Sequence, residues 1–154
     1  MQRLVMLRLI CLVPMVAVLG CEPLGPIAGG ALQGQWAEVP DAWDEARAIK
    51  TFQMETRADD PYSVNLWGVV VDDGLYVASG EGGGATWVEH LADDPDVRLR
   101  MNGKLYELRA VRVDEAQEIQ AVGLRYIEKY DIEDDSDMDG EFGEEAWVFR
   151  LDRR

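Results

Sequence analysis

The chain has 154 residues, of which 30 are acidic and 15 are basic, so its formal net charge at pH 7 is −15. A surface this negative repels nucleic acid phosphates and anionic lipid headgroups, which excludes binding to either through basic patches. Apolar residues make up 47% of the chain and include five tryptophans, which is enough to bury one core, so we expect a single domain.

The N-terminus has the layout of a secretory signal peptide, with two early arginines and then an apolar run over residues 9–19. Cys21 follows Gly20 directly, and this ending resembles the bacterial lipobox, which implies acylation of Cys21 with fatty acids such as palmitate. An ordinary cleaved signal with an incidental cysteine is the alternative. Removal of residues 1–20 leaves 13 basic and 30 acidic residues, a net charge of −17, and also removes Cys11, so no disulfide can form within the mature chain.

The segment after the cleavage point is rich in glycine, proline and alanine and has no usable periodicity. We expect residues 21–35 to be a flexible tether between the membrane and the domain, which then covers residues 36–154.

Alternation of apolar and polar residues predicts strands separated by turn signals. The turn residues Asp72-Asp73-Gly74 and Asn102-Gly103 each predict a hairpin. A short helix is expected from Thr86 and a longer one after Asp114. Successive hairpins with only two helices indicate a mainly β, α+β domain whose antiparallel sheet closes into a small barrel. The predicted strands cover 49–57, 62–71, 75–79, 97–101, 104–113 and 146–151.

The glycine-rich stretch SGEGGGATW, residues 79–87, fits the dinucleotide-binding pattern G-x-G-x-x-G/A between a strand and a helix. That fingerprint requires a parallel strand–helix–strand unit, whereas here a short helix leads straight into a hairpin. A doubly wound dinucleotide-binding fold is therefore excluded. A flexible corner and a ligand-contacting loop both remain as interpretations of the stretch.

A strand ending in YVAS, a glycine-containing loop, a helix beginning near Trp87, the segment ADDPDV and the strand NGKLYELRAVRV follow one another in the chain. This order resembles the split-barrel flavin-binding superfamily, the group of the pyridoxamine-phosphate oxidases and the deazaflavin-dependent nitroreductases. The resemblance implies an antiparallel split β-barrel of about six strands with one short and one longer helix.

The resemblance also implies that the glycine loop holds the phosphate of a flavin or deazaflavin. Two further polar candidates, Tyr62 and Asn65, lie on a strand whose side chains alternate between the two faces of the sheet. Cofactor-binding relatives also carry a basic segment between the early strands. The corresponding segment of this chain is TRADDPYSVN, in which Arg57 is the only cation, and the glycine loop carries Glu81. Carboxylates near a phosphate weaken its binding. The loop positions implied as cofactor-binding are Ser79, Gly80, Gly82, Gly83, Gly84 and Thr86.

Other titratable residues are given structural roles. His90 is the only histidine, which excludes a multi-histidine metal site, and we expect it to face solvent. Arg98 and Arg100 are expected to be solvated residues on a strand face. Lys129 is expected to pair with an acid such as Glu133.

The segment DIEDDSDMDGEFGEE, residues 131–145, carries nine acids and no base. Oxygen-bearing residues at alternate positions followed by Gly140 match the first half of an EF-hand loop, whereas the bidentate glutamate at its twelfth position is missing. A weak calcium site and a solvated acidic loop are both retained as interpretations. The candidate calcium ligands are Asp135, Asp137, Asp139, Glu141 and Glu144.

These observations predict a bacterial envelope lipoprotein, anchored to a membrane through lipid and facing the periplasm or the exterior. The acidic residues at positions where relatives carry basic ones favour a domain that binds a small-molecule ligand or a partner without catalysis. No catalytic residue is assigned. The alternative is a flavin- or deazaflavin-dependent oxidoreductase of the nitroreductase-like type. Nucleic acid is not an expected partner, and an oligomer is compatible with this interpretation.

Overall fold

The computed structural model describes residues 22–132 and 146–154, and in these ranges it has eight strands, two α-helices and two short 3₁₀ helices. The helices are α1 (Thr86–Asp93) and α2 (Ala116–Tyr130), and the 3₁₀ helices cover Asp44–Ala48 and Gly82–Gly84. The strands are β1 (Gln35–Trp36), β2 (Phe52–Thr56), β3 (Tyr62–Leu66), β4 (Gly68–Val71), β5 (Gly74–Ser79), β6 (Asp96–Met101), β7 (Lys104–Arg112) and β8 (Trp147–Arg153).

Seven of the described strands form one curled antiparallel sheet in the order β3-β2-β6-β7-β8-β5-β4, and the short β1 pairs with β7 in parallel. The two predicted hairpins are present as β4–β5 and β6–β7. Asn102 and Gly103 have φ angles of 51° and 74°, as a tight two-residue hairpin turn requires. The predicted antiparallel α+β split barrel is therefore confirmed, with eight described strands where about six were expected.

One source of the additional strands is a break at Trp67. The segment 62–71, predicted as one strand, is two: β3 pairs with β2, and β4 pairs with β5. Gly68 lies at the break, where an added Cβ would come within 3.0 Å of the Phe52 ring and of the Tyr76 carbonyl oxygen. Absence of a side chain there lets the chain pass close to its neighbours as it changes pairing partner. Sequence alternation alone did not show this change.

The core consists of two apolar clusters on the two faces of the sheet. On one face, α1 packs through Trp87, Val88 and Leu91 onto inward-facing strand residues, of which Phe52 and Leu99 are fully buried. On the other face, α2 packs on β4 and shares an apolar cluster with Tyr76 of β5. The second cluster contains Val69, Tyr76, Val113, Val122, Tyr126 and Val148.

The N-terminal segment, residues 22–35, lies along the sheet in the structure. Gly29 and Ser63 exchange backbone hydrogen bonds of 2.8 and 2.9 Å, and Leu32 is buried. Gln35 donates to the carbonyl oxygen of Gly103 at 2.9 Å. The segment expected to be a tether thus contacts the barrel from Glu22 onward, and its role as a link to a membrane stays a prediction.

Candidate functional site

The glycine loop forms a tight corner between β5 and α1. Ser79 ends β5 and is buried, and Gly82 is buried with a φ of 55°, in the left-handed region that favours glycine. The Gly84 amide donates to the carbonyl oxygen of Glu81 at 3.0 Å, which closes the 3₁₀ turn. Thr86 is exposed at the start of α1, where backbone amides favour an anion.

An aromatic side chain and a cation lie beside this loop. A Cβ added at Gly83 would come within 2.9 Å of the Trp147 ring, so the backbone touches the indole directly. The guanidinium carbon of Arg112 lies 3.5 Å from the centroid of the same ring, in a cation–π contact. Arg112 also pairs with Asp114 at 3.5 Å. Sequence reasoning missed this pair because β7 and β8 are brought together only by the sheet.

A second cluster lies where the chain leaves β2. Arg57 has a φ of 54°, a left-handed conformation that costs a residue with a side chain on the order of 1–3 kcal/mol. Its Nη2 lies 3.2 Å from a carboxylate oxygen of Asp60, and its guanidinium lies 6.0 Å from the Tyr62 ring centroid. The Arg57 Nε is buried and has no hydrogen-bond partner in the structure. A strained backbone and an unpaired buried donor therefore coincide at one cation.

His90 on α1 faces the same cluster, and the expectation that it faces solvent is wrong. Its Nδ1 lies 2.8 Å from Thr56 Oγ1 in a hydrogen bond, and its ring meets the Tyr62 ring edge-on at 5.1 Å. Burial, followed by the positive charge of Arg57, lowers the pKa of His90 below 6.5, so the imidazole is neutral at pH 7. The helical periodicity could not show that β2 and β3 pack against this side of α1.

Asn65, the other polar candidate from β3, contacts the N-terminal segment. Its amide nitrogen donates to the carbonyl oxygens of Pro23 at 3.2 Å and Gly25 at 3.1 Å. The described contacts thus place the predicted cofactor-binding residues in three surroundings. Six of them form the loop before α1, Tyr62 belongs to the cluster at the end of β2, and Asn65 lies under the N-terminal segment.

The outer face of β2 and β6 carries polar residues that the N-terminal segment covers. Glu55 is 2% exposed, and its carboxylate accepts hydrogen bonds from the Leu32 amide at 2.6 Å and from Arg98 Nη1 at 2.8 Å. Arg100 donates to Gln53 at 2.5 Å and pairs with a carboxylate of the segment. Arg98 and Arg100 are therefore half-buried and paired, which corrects the expectation of solvated side chains.

Several predictions fall outside the described residues. Cys21 and the signal segment precede residue 22, and the candidate calcium ligands lie between residues 132 and 146. Within the two described ranges, no group of three or more histidine, cysteine, aspartate or glutamate side chains could hold a metal ion. None of the helices in these ranges is long and apolar enough to cross a membrane. Calcium binding and lipidation stay predictions.

Comparison with known proteins supports the fold. A family model described as "Uncharacterized protein conserved in bacteria (DUF2255)" matches residues 44–148, more than half of the chain. No curated protein matches the chain. The crystal structure of a conserved hypothetical protein from Mycobacterium tuberculosis is similar with a TM-score of 0.57 at 16% identity, covering 77% of this chain and 86% of that one.

Two further solved structures have the same fold. The heme storage protein HutZ from Vibrio cholerae has a TM-score of 0.52 at 19% identity, covering 71% of this chain and 84% of that one. A protein of the NimC/NimA family from Clostridium acetobutylicum has a TM-score of 0.50 at 10% identity, covering 70% and 74%. The similarity is one of architecture, and it confirms the predicted split-barrel fold.

Proposed function

We propose that this chain, which belongs to the bacterial family of uncharacterized proteins DUF2255, binds a phosphate-bearing flavin or deazaflavin in its split-barrel domain. With this cofactor it acts as an oxidoreductase of the nitroreductase-like type. The observation that carries the proposal is Arg57, whose strained backbone holds a buried, unpaired Nε. The Arg57 side chain as a whole is 40% exposed, so an anion at this guanidinium could give Nε the acceptor that no described residue provides. Strain of this kind is typical of ligand sites.

The residues around Arg57 fit the phosphate end of such a cofactor. The guanidinium offers a charge-assisted hydrogen bond through Nε while Nη2 remains bonded to Asp60. The Tyr62 ring and the neutral imidazole of His90 line the same place without adding negative charge. When bound, a flavin or deazaflavin supplies hydride transfer, and the protein supplies its binding and orientation.

The glycine loop offers a second anchoring position. Amides at the start of α1 point toward the loop side, and the Trp147–Arg112 stack provides an aromatic surface and a positive charge next to Gly83. Planar ring systems stack on such surfaces. The similar protein from Vibrio cholerae is named a heme storage protein, so a planar conjugated ligand is compatible with this fold. These contacts support the proposal independently of Arg57.

The test is a binding titration of the purified protein. Its visible spectrum is recorded first, and flavin mononucleotide is then titrated while flavin fluorescence is measured. We expect Arg57→Gln to weaken binding by about tenfold or more, since it removes one charge-assisted hydrogen bond. Arg153→Gln is the control, because Arg153 is exposed and pairs with Asp41 away from the cluster.

Two results would contradict the proposal. One is the lack of a saturable signal with both flavin mononucleotide and a deazaflavin phosphate, even if haem binds. The other is equal affinity for flavin mononucleotide in Arg57→Gln and Arg153→Gln, because the anion would then not be held by Arg57. Haem binding alone would replace the flavin by another planar group and would remove the hydride-transfer function.

A second candidate function is a membrane-anchored envelope protein that binds a ligand without catalysis. The arrangement of the signal segment and Cys21 supports it, since two acyl chains on one cysteine give stable membrane attachment to a protein of net charge −17. Labelled palmitate should be incorporated into the protein expressed in a bacterial host and should be lost in Cys21→Ser. Soluble, unlabelled protein in the periplasm would contradict the anchor and would leave the cofactor proposal untouched.

A further inference from the structure

A cavity of about 270 Å³ lies between the 3₁₀ helix Asp44–Ala48, strand β4 and helix α2, away from the loop and from Arg57. Three of its lining residues are cations and one is an acid, although the chain has 30 acidic and only 15 basic residues. Two valines of β4 make the apolar part of the wall. The lining residues are Arg47, Val69, Val70, Arg125, Glu128 and Lys129.

Lys129 is the innermost of the three cations. Its ammonium donates to the carbonyl oxygens of Gly68 at 2.7 Å and Ala46 at 3.1 Å, and it lies 5.2 Å from the centroid of the Phe52 ring. An ammonium has three N–H groups, so one remains for a ligand. No carboxylate among the described residues pairs with it, and the expected partner Glu133 lies outside those residues. Burial lowers the pKa of Lys129 to about 8.

The two arginines at the cavity form weak ion pairs with acids on their own helices, and Arg47 Nη2 also donates to the carbonyl oxygen of Asp72 at 2.6 Å. Arg47 contacts Asp44 at 3.3 Å, and Arg125 contacts Glu128 at 2.5 Å, each along one helical turn at the surface. Pairs of this kind contribute about 0–1 kcal/mol because water and salt screen them. Each guanidinium has five N–H groups and uses only some of them, so both can turn donors toward an anion.

We propose that this cavity is a binding site for a small anion that carries carboxylate or phosphate oxygens, with Lys129 as the inner donor and Arg47 and Arg125 as the outer ones. The volume lies just below the range of about 300–1,000 Å³ that is typical of small-molecule pockets, which fits a short organic acid or a small phosphate better than a nucleotide. This site is separate from the cofactor site proposed at Arg57.

The test compares two anions on the full-length purified protein. Butyrate and inorganic phosphate are titrated separately, and binding is followed by calorimetry and by the thermal transition. We expect saturable binding of at least one anion and a loss of about tenfold or more in Arg125→Gln, since one charged donor is removed. The matched control is Arg109→Gln, because Arg109 is 52% exposed against 50% for Arg125 and pairs with Asp96 outside the cavity.

Lys129→Met removes the inner charge and keeps the length of the side chain, and it should abolish binding. If this variant fails to fold after losing its two carbonyl contacts, Arg125→Gln decides the question. Preference for butyrate or for phosphate identifies which anion class the site takes. Lack of saturation with both anions at about 20 mM, or equal losses in Arg125→Gln and Arg109→Gln, would overturn the proposal. Flavin titration is unaffected by Arg125→Gln if the two sites are separate.

Discussion

Glu55 offers the sharpest test of how the N-terminal segment is held. Its carboxylate is 2% exposed and bonds two groups at once, the Leu32 amide at 2.6 Å and Arg98 Nη1 at 2.8 Å. Leu32 is itself buried against the sheet. Removal of the carboxylate in Glu55→Ala therefore leaves a backbone donor and a guanidinium without their shared acceptor.

The expected loss in the free energy of unfolding follows from how exposed each partner of Glu55 is. A buried backbone N–H without a partner costs about 1–3 kcal/mol. Loss of one member of a fully buried ion pair costs about 3–5 kcal/mol, but the Arg98 side chain is 32% exposed and can be solvated, so its share is smaller. We expect a total loss of about 3 kcal/mol and a fall in Tm of about 6–12 °C for a chain of this length. Glu55→Gln keeps an oxygen acceptor and should lose about 1–2 kcal/mol.

The assay is urea unfolding combined with amide hydrogen exchange over residues 22–33, which should exchange faster in Glu55→Ala. Glu45→Ala is the control, because Glu45 is 64% exposed and contacts Lys104 at 3.5 Å, so it should change stability by less than about 0.5 kcal/mol. If Glu55→Ala unfolds within about 1 kcal/mol of the parent, or the exchange of the segment is unchanged, the segment is not anchored through this carboxylate.

Three further predictions concern single positions. Gly82→Ala should lower the free energy of unfolding by about 1 kcal/mol because Gly82 has a φ of 55°. Gly80→Ala is the control, since an added Cβ at Gly80 meets nothing within 4 Å, and equal losses for the two variants in urea unfolding would refute the backbone argument. Burial, followed by a hydrogen bond to a neighbouring carboxylate, raises the pKa of Tyr76 to about 12. Its contribution to stability is therefore intact below pH 10 and is lost as the pH rises toward 12, and Tyr76→Phe should flatten this alkaline loss in a series of unfolding curves. Burial, followed by the charge of Arg57, lowers the pKa of His90, so its NMR titration midpoint should lie below 6.5 and should rise in Arg57→Gln. Because the folded state takes up this proton less readily than the unfolded state, acidification below pH 6.5 should lower the free energy of unfolding. A midpoint at or above 6.5 would contradict the described burial.

Local signals in the sequence determined the elements of the sheet. Asn102-Gly103 predicts the β6–β7 hairpin because only a few residues adopt positive φ at both turn positions. Alternation in β6 predicts which side chains turn inward, and its burial pattern follows that alternation from residue to residue. The spacing of apolar residues in α2 predicts the face that carries the buried Val122 and Tyr126. All these features depend on residues within one or two turns of each other.

The candidate sites were decided by the tertiary structure. Glu55 meets Arg98 because β2 pairs with β6 in one register, and Lys129 meets the carbonyl oxygen of Gly68 because α2 crosses the start of β4. The break at Trp67, which separates β3 from β4, likewise depends on which strands pair with the two halves of the segment 62–71. Period-two alternation states which face a side chain occupies, but not which strand lies beside it. That choice depends on the packing of the whole core, in which residues 40 or more positions apart compete for the same neighbours.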